Sequence, residues 1–407
     1  MIVLGITETH CATAAILKDG RVIGCASEER FSRLKNDAGY PRRAIDALLR
    51  ELAITPQQID VVALAGARAA SRDWLNRVLH DEVHVKEYYG VSWPSRRRAL
   101  EKKVRKWGAK FGLIDASRGK FGISQRERLG FVTAHLGIAP DRIVCLDHHA
   151  CHAAAAYWGS GLAGRDALVL TNDNSGDGLC ATASTGRGLA LDRHEATPSA
   201  PGSVGAFYSF VTLALGMKFG EHEYKVMGLA PYAPDRYAAR AEAALREIFD
   251  LEDGRPARFR WRAAGERYQL LLRAMVGLRF DWVAGGAQRL LEDVLLRWSR
   301  LMRERYGGGR MALGGGVFMN VKANMLIGQE DWVEELFVFP SCGDESNAVG
   351  AAYLGYLQEC ARRGSAAAPQ PFGAPYLGPS VTDEEAEAVI RERRIEGQYK
   401  VAFHDRI

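Results

Sequence analysis

Asp147-His148-His149-Ala150-Cys151-His152, running on into Ala153-Ala154-Ala155-Ala156, is the most chemically loaded stretch of the chain. Arg142-Ile143-Val144-Cys145-Leu146 before it is a short apolar run rich in β-formers, and the alanines after it, with Tyr157-Trp158, make a strong helix start. The histidines therefore stand where a strand hands over to a helix. His148 and His152, four positions apart, project from one face of the first turns. That spacing suits two ligands to one divalent ion, since neutral imidazole favours iron, zinc, nickel or copper, and a carboxylate from elsewhere in the chain would complete the set. The alternative is that they are helix-terminus histidines bonded to carbonyls.

Composition narrows the function classes. With 407 residues, 47% hydrophobic and 25% charged, the chain has the length for two or three lobes around a large core. No apolar run approaches the ~18 residues that span a bilayer, and Met1-Ile2-Val3-Leu4-Gly5-Ile6 reads as an immediate core strand with no leader, so a cytoplasmic protein is expected. Seven dispersed cysteines without a Cys-x-x-Cys pair argue against a disulfide framework and a thiolate zinc site. The net charge of +5 is concentrated at Arg96, Arg97, Arg98, Lys102, Lys103, Arg105, Lys106 and Lys110. A solvated helix face is the favoured reading of that cluster, ahead of a nucleic-acid surface.

Working outward, the amino terminus predicts strands at Ile2 to Ile6, Ala12 to Leu17 and Arg21 to Ala26, with Lys18-Asp19-Gly20 as a hairpin turn. Glu28-Glu29-Arg30-Phe31-Ser32-Arg33-Leu34-Lys35 is either a site or a solvated loop. A helix from Pro41 through Leu52 and a strand at Val61 to Gly66 follow, an α/β pattern. Residues 70 to 130 read as a mainly helical insertion. Ala167 to Leu170 is an apolar strand expected to end in the polar turn Thr171 to Gly178, with the next strand at Leu179 to Ser184. Helices are expected at Tyr237 to Phe249, Gln288 to Arg305 and Ala348 to Gln358, and strands before Gly314-Gly315-Gly316 and at Leu336 to Phe339. Three glycine-bearing turns, each after an apolar strand, suggest a nucleotide cleft.

Several stretches together resemble the amino-terminal part of the O-carbamoyltransferases of antibiotic and nodulation-factor biosynthesis. They are Leu4-Gly5-Ile6 with His10, Glu28-Glu29-Arg30-Phe31, His148-His149-x-x-His152-Ala153, Gly176-Asp177-Gly178, Glu223-Tyr224-Lys225-Val226-Met227-Gly228-Leu229-Ala230-Pro231-Tyr232, Gly314-Gly315-Gly316 with Asn320, and Gly343-Asp344. The resemblance implies an α/β, two-lobed actin-like ATPase (RNase H-like) fold, similar to the enzyme that puts threonylcarbamoyl on transfer RNA. It implies one lobe over residues 1–160, a second over 161–370, and a linker at 371–407 towards an adenylate-forming domain that this chain lacks, either because it is a fragment or because that domain is a separate chain. The implied chemistry makes carbamoyladenylate from carbamoyl phosphate and ATP and passes the carbamoyl group to a hydroxyl acceptor.

By the same resemblance His148, His152, Asp173 and Asp344 match the ligands of a metal, iron first, that neutralises the adenylate phosphate. His10 matches the residue that takes the acceptor's proton, and Lys35 one beside the carbamoyl group. Gly176, Gly178, Glu223, Lys225, Gly314, Gly315, Gly316 and Asn320 match nucleotide contacts. Read singly, Asp173 and Asp177 could be turn residues and Glu223 with Lys225 a surface ion pair. Two other functions share the fold: a sugar-kinase-like phosphotransferase, which the histidine pair argues against, and a nucleotide-binding regulatory subunit without turnover. The acceptor itself is not legible.

Overall fold

Two five-stranded sheets, drawn from successive parts of the chain, have the same strand order. The computed structural model describes residues 1–67, 69–70, 122–199, 203–252, 254–259, 264–377 and 381–402. In the first sheet Arg21–Ser27, Thr13–Lys18 and Ile2–Thr7 run antiparallel, and Val61–Ala65 and Ile143–Leu146 follow in parallel. In the second, Ala190–Pro198, Leu179–Arg187 and Ala167–Gly176 are antiparallel, followed in parallel by Arg310–Gly314 and Glu335–Val338. A three-strand meander followed by two parallel strands is the RNase H-like plan, and its duplication is the two-lobed actin-like architecture.

Local chemistry sets the first meander. Asp19 and Gly20 both take left-handed conformations, with φ of 49° and 86°, as a two-residue turn that follows the strand twist requires. Alternation then sends successive residues to opposite faces. Leu4, Ile6, Ala14 and Ile16 pack under the helix Arg42–Glu51, with Ala44, Ile45 and Leu48, and under Gln125–Leu136, with Val132 and Leu136. Val3, Ala15 and Leu17 join the larger core on the other side.

That second face is covered by the helix Ser346–Arg363, which packs in turn on the helix His148–Gly159 lying against the second sheet. Ser346–Arg363 follows the last strand of the second sheet yet lies on the first. Glycine permits it: a Cβ on Gly5 would stand 2.0 Å from the carbonyl oxygen of Ala348, and one on Gly350 would stand 1.8 Å from that of Cys151. The two sheets are thereby locked around one continuous core.

Differences from the sequence reading have local causes. The strand expected to stop at Leu170 continues to Gly176 through Thr171, Asn172 and Asp173, with a register shift between Asn172 and Gly176, and only Asp177-Gly178 turns. Thr171 is tolerated there because it bonds both Thr182 and His149, and Asp173 because it faces the cleft. The next strand runs to Arg187 rather than Ser184, and an unexpected edge strand, Ala190–Pro198, follows it, charged as edges are. The helix expected from Gln288 begins at Phe280 and reaches Tyr306, because Gly285 and Gly286 hide its start while letting it pack against the helix Asp235–Arg246. The stretch from Glu28 divides: Glu28 is buried and accepts a hydrogen bond from the Ala44 amide at 2.9 Å, whereas Lys35 reaches a cleft. The tail, expected as a linker, holds a helix at Asp383–Glu392 capped by Thr382. The basic residues 96 to 110 lie outside the described residues.

One buried ion pair ties distant segments together. Arg128 Nε donates to Glu8 Oε2 at 2.6 Å, and its other nitrogens donate to the carbonyls of Gly66 and Ala65 at 2.7 and 3.2 Å. Both side chains are almost wholly buried. Arginine's fixed fork suits this multiple contact, and nothing in local sequence marks it.

The glycine contact between the two central helices has a direct test. Gly350→Ala should lower stability by about 1–3 kcal/mol or more in urea unfolding, because the backbones must separate. Gly130→Ala, where a Cβ meets no atom within 4 Å, should be neutral or stabilising.

Candidate metal centre

The strand Ile143–Leu146 ends at Asp147, which caps the following helix by accepting the Ala150 amide at 2.8 Å. Asp177 reinforces that end, its Oδ2 accepting the amides of His148 and of Ala67, each at 2.8 Å. His148 and His152 then lie one turn apart on the face turned to the second sheet, with their Nε2 atoms 3.1 Å from each other. Asp173 comes from the Ala167–Gly176 strand, and Asp344 from the turn before Ser346–Arg363. One ligand atom from each of the four lies within 4.8 Å of all the others, and all four residues are buried.

The details fit a cation. Asp344 Oδ1 stands 3.4 Å from His148 Nε2 and 3.5 Å from His152 Nε2, is buried, and has no hydrogen-bond partner among the described residues. Asp173 Oδ2 is 3.3 Å from His148 Nε2. Ser346 Oγ donates to the carbonyl of Gly343 at 2.7 Å and so accepts from His152 Nδ1 at 3.1 Å, which leaves the Nε2 lone pair of His152 facing the cluster. Two imidazoles and two carboxylates converging in this way form a nitrogen and oxygen donor set for a divalent transition metal. His149 takes no part: its Nδ1 bonds Thr171 Oγ1 at 2.7 Å. Burial, aided by His148 and His152, lowers its pKa to about 3 and keeps it neutral.

The protein's own charges show how strongly the cluster attracts positive charge. Burial would lower the pKa of His148, yet Asp344 and Asp173 outweigh it and raise the value to about 9. Burial and the neighbouring Asp344 would raise Asp173, but His148 and His152 bring it to about 2. Asp344 is held well below the usual carboxylate range, against burial, by His10 and His148.

Above this floor opens a cleft of ≈ 360 Å³. His10, Cys11, Lys35 and Asn36 form one wall, Tyr208, Glu223, Gly316 and Asn320 the other, and Glu221 and Tyr224 also line it. His10 Nδ1 is 3.1 Å from Asp344 Oδ2, and Thr9 Oγ1 donates to the same oxygen at 2.6 Å. Burial opposes a charged His10, but Asp344 raises its pKa to about 9. Lys35 is more than half exposed, 4.0 Å from Glu221. Glu223 accepts the Gly220 amide at 2.8 Å, and Asn320 exchanges hydrogen bonds with Gln288, which also accepts from Tyr208.

The remaining residues singled out in the sequence do not line the cleft. A Cβ on Gly176 would be 2.0 Å from the His148 ring, one on Gly314 2.8 Å from the His152 carbonyl oxygen, and one on Gly315 2.3 Å from that of Asn172. These three glycines therefore let the ligand-bearing segments close on each other. Gly178 completes the turn after Asp177. Lys225 is exposed, with Nζ 2.9 Å from His222 Nε2. Thr9, Ser346, Tyr208 and Gln288 were not expected. Ser346, two positions after Asp344, is the one a ligand-plus-orienting-residue argument could have raised.

Comparison with known proteins adds relatives of the same kind. The chain is 27% identical over 422 residues to the uncharacterized protein sll1178 of Synechocystis, covering 98% of this chain and 64% of that one. It is 28% identical over 359 residues to the nodulation protein NolNO of Sinorhizobium fredii, covering 86% and 46%. The chain thus spans roughly half to two-thirds of the length of these curated relatives. Among solved structures, component A of the (R)-2-hydroxyglutaryl-CoA dehydratase of Acidaminococcus fermentans is similar at a TM-score of 0.46 and 13% identity, over 88% of this chain and 98% of that one. A likeness that weak leaves the strand order to define the fold. A family model described as the carbamoyltransferase N-terminus matches residues 2–353, and the chain belongs to that family.

Proposed function

We propose that this chain is the transfer part of an O-carbamoyltransferase, in which a carbamoyl group passes from carbamoyladenylate to a hydroxyl of a small-molecule or glycan acceptor. The observation that carries the reading is the double use of Asp344: one oxygen holds His10, and the other faces both ligand histidines. Proton acceptor and charge-stabilising floor are thereby fixed to one carboxylate in one cleft. Family membership and the nodulation proteins among the relatives support the reaction class.

The residues have complementary parts in this reading. With Nδ1 turned to Asp344, His10 presents Nε2 to the acceptor. His10 is favoured in its neutral form once a divalent ion held at Asp344 offsets the charge that keeps it protonated. As the hydroxyl oxygen bonds to the carbamoyl carbon, its proton then goes to neutral His10, the bond from that carbon to the phosphate oxygen breaks, and AMP leaves. Lys35 stands beside the carbamoyl group. Glu223, Gly316 and Asn320 line the nucleotide side, while Gly176, Gly178, Gly314, Gly315 and Lys225 act from behind or beside it. His148, His152, Asp173 and Asp344 would hold a divalent ion, which we take as iron, whose positive charge offsets that of the phosphate.

In the same reading, residues 1–160 and 161–370 are the two lobes, and 371–407 lead towards a domain or separate chain that makes carbamoyladenylate from carbamoyl phosphate and ATP in the cytoplasm. Among the described residues no helix is long and apolar enough to cross a membrane, and all seven cysteines are free.

Acceptor-dependent AMP release is the assay, with the purified chain, iron, ATP and carbamoyl phosphate, alone and with an adenylate-forming domain of a related enzyme. Release in the mixture only is expected; release by the chain alone contradicts the division of labour. In the mixture, His10→Ala should slow transfer by about 10²–10⁴-fold with metal content unchanged. A His10→Ala variant as fast as the parent would remove its role.

Metal content separates the floor from the wall. His152→Ala and Gly176→Ala should each copurify with far less than one equivalent of metal by elemental analysis, the second because its methyl displaces the His148 ring. A full equivalent in both variants would place the metal elsewhere.

A further inference from the structure

At the mouth of the cleft several donors meet one carboxylate. Glu221, between the helices Val204–Ala214 and Glu223–Leu229, is only 13% exposed. Lys218 Nζ pairs directly with its Oε2. Lys35 Nζ and His222 Nε2 approach its Oε1 at 4.0 and 3.7 Å. His222 Nδ1 accepts the Lys218 amide at 3.0 Å, and its Nε2 is also 2.9 Å from Lys225 Nζ, which brings a third cation to this corner. The contact joins two parts of the chain that are far apart in sequence, since Asn36 Nδ2 also donates to the Gly220 carbonyl at 3.2 Å. Burial would raise the pKa of Glu221, but Lys218, Lys35 and His222 outweigh it and hold the carboxyl below its ordinary range.

This arrangement adds little to the fold. Exposed ion pairs contribute about 0–1 kcal/mol each, and Lys35 is 58% exposed. What the donors do define is an anion-shaped position, filled by the chain's own carboxylate, beside the wall that carries His10. The proposed transfer reaction already directs the donor's phosphate to the floor at Asp173 and Asp344. A second anion position at the mouth is then left for the other substrate.

We propose that Glu221 stands in for an anionic group of the acceptor, a phosphate, sulfate or carboxylate on a hydroxyl compound, which displaces it and engages Lys218, Lys35 and His222. The word acceptor rests on the transfer reading; the anion position itself does not. Polycationic acceptors are disfavoured by the same charges.

Calorimetric titration of the metal-loaded chain with glucose 6-phosphate, with glucose as the control, tests this. Glucose 6-phosphate should bind and glucose should not. Glu221→Gln, which removes the competing charge, should tighten binding about three- to tenfold, Lys218→Met should weaken it by a similar factor, and His152→Ala should leave it unchanged. AMP, the other source of a phosphate, should behave oppositely, responding to His152→Ala and not to Glu221→Gln. Unchanged or weaker glucose 6-phosphate binding in Glu221→Gln, or its loss in His152→Ala, would overturn the subsite. AMP tightening in Glu221→Gln would assign the position to the donor and overturn the acceptor assignment. Failure of carbamoyl transfer with the Glu221→Gln effect intact would sink the transfer reading alone.

Discussion

Asp344 is the constraint on which the centre depends. Its Oδ2 accepts from Thr9 and meets His10, while its buried Oδ1 points between His148 and His152 and finds no hydrogen-bond donor among the described residues. A buried carboxylate oxygen with no donor is costly unless positive charge faces it. The two imidazoles supply part of that charge when protonated, and a divalent cation held by the same atoms would supply it without their protons. One side chain thereby sets the distance between the floor of the cleft and its wall.

Bringing those groups together requires backbones closer than side chains allow. Gly5 and Gly350 seat the helix after Asp344 against the first sheet and against the helix of the histidines, while Gly176 and Gly314 do the same for strands of the second sheet. The ligands come from three separate stretches, and their convergence depends on these contacts as much as on the ligands' own chemistry. Glycine here is a packing residue. Its value is the volume it leaves free.

What could be read from the sequence was local. The Asp19-Gly20 turn and the Asp147 cap act within a few residues, so the opening hairpin and the histidine-bearing helix were legible from spacing. The actin-like identity of the fold and the carboxylates at 173 and 344 came from resemblance, because no spacing links those carboxylates to the histidines. What stayed hidden was non-local: Glu8 and Arg128 pair across 120 residues, and polar Thr171 and Asp173 continue a strand because their partners lie on other elements. Glycines at 176, 314 and 315 looked like phosphate loops, since a turn and a close approach have the same one-letter signature.

The most direct measurement is anomalous diffraction at the iron edge from crystals of the iron-loaded chain. One strong peak is expected about 2.0–2.3 Å from His148 Nε2, His152 Nε2 and an oxygen of Asp344, with His149 uninvolved and His10 still on the other Asp344 oxygen. A peak bound by His149, or a metal held away from Asp344, would contradict it.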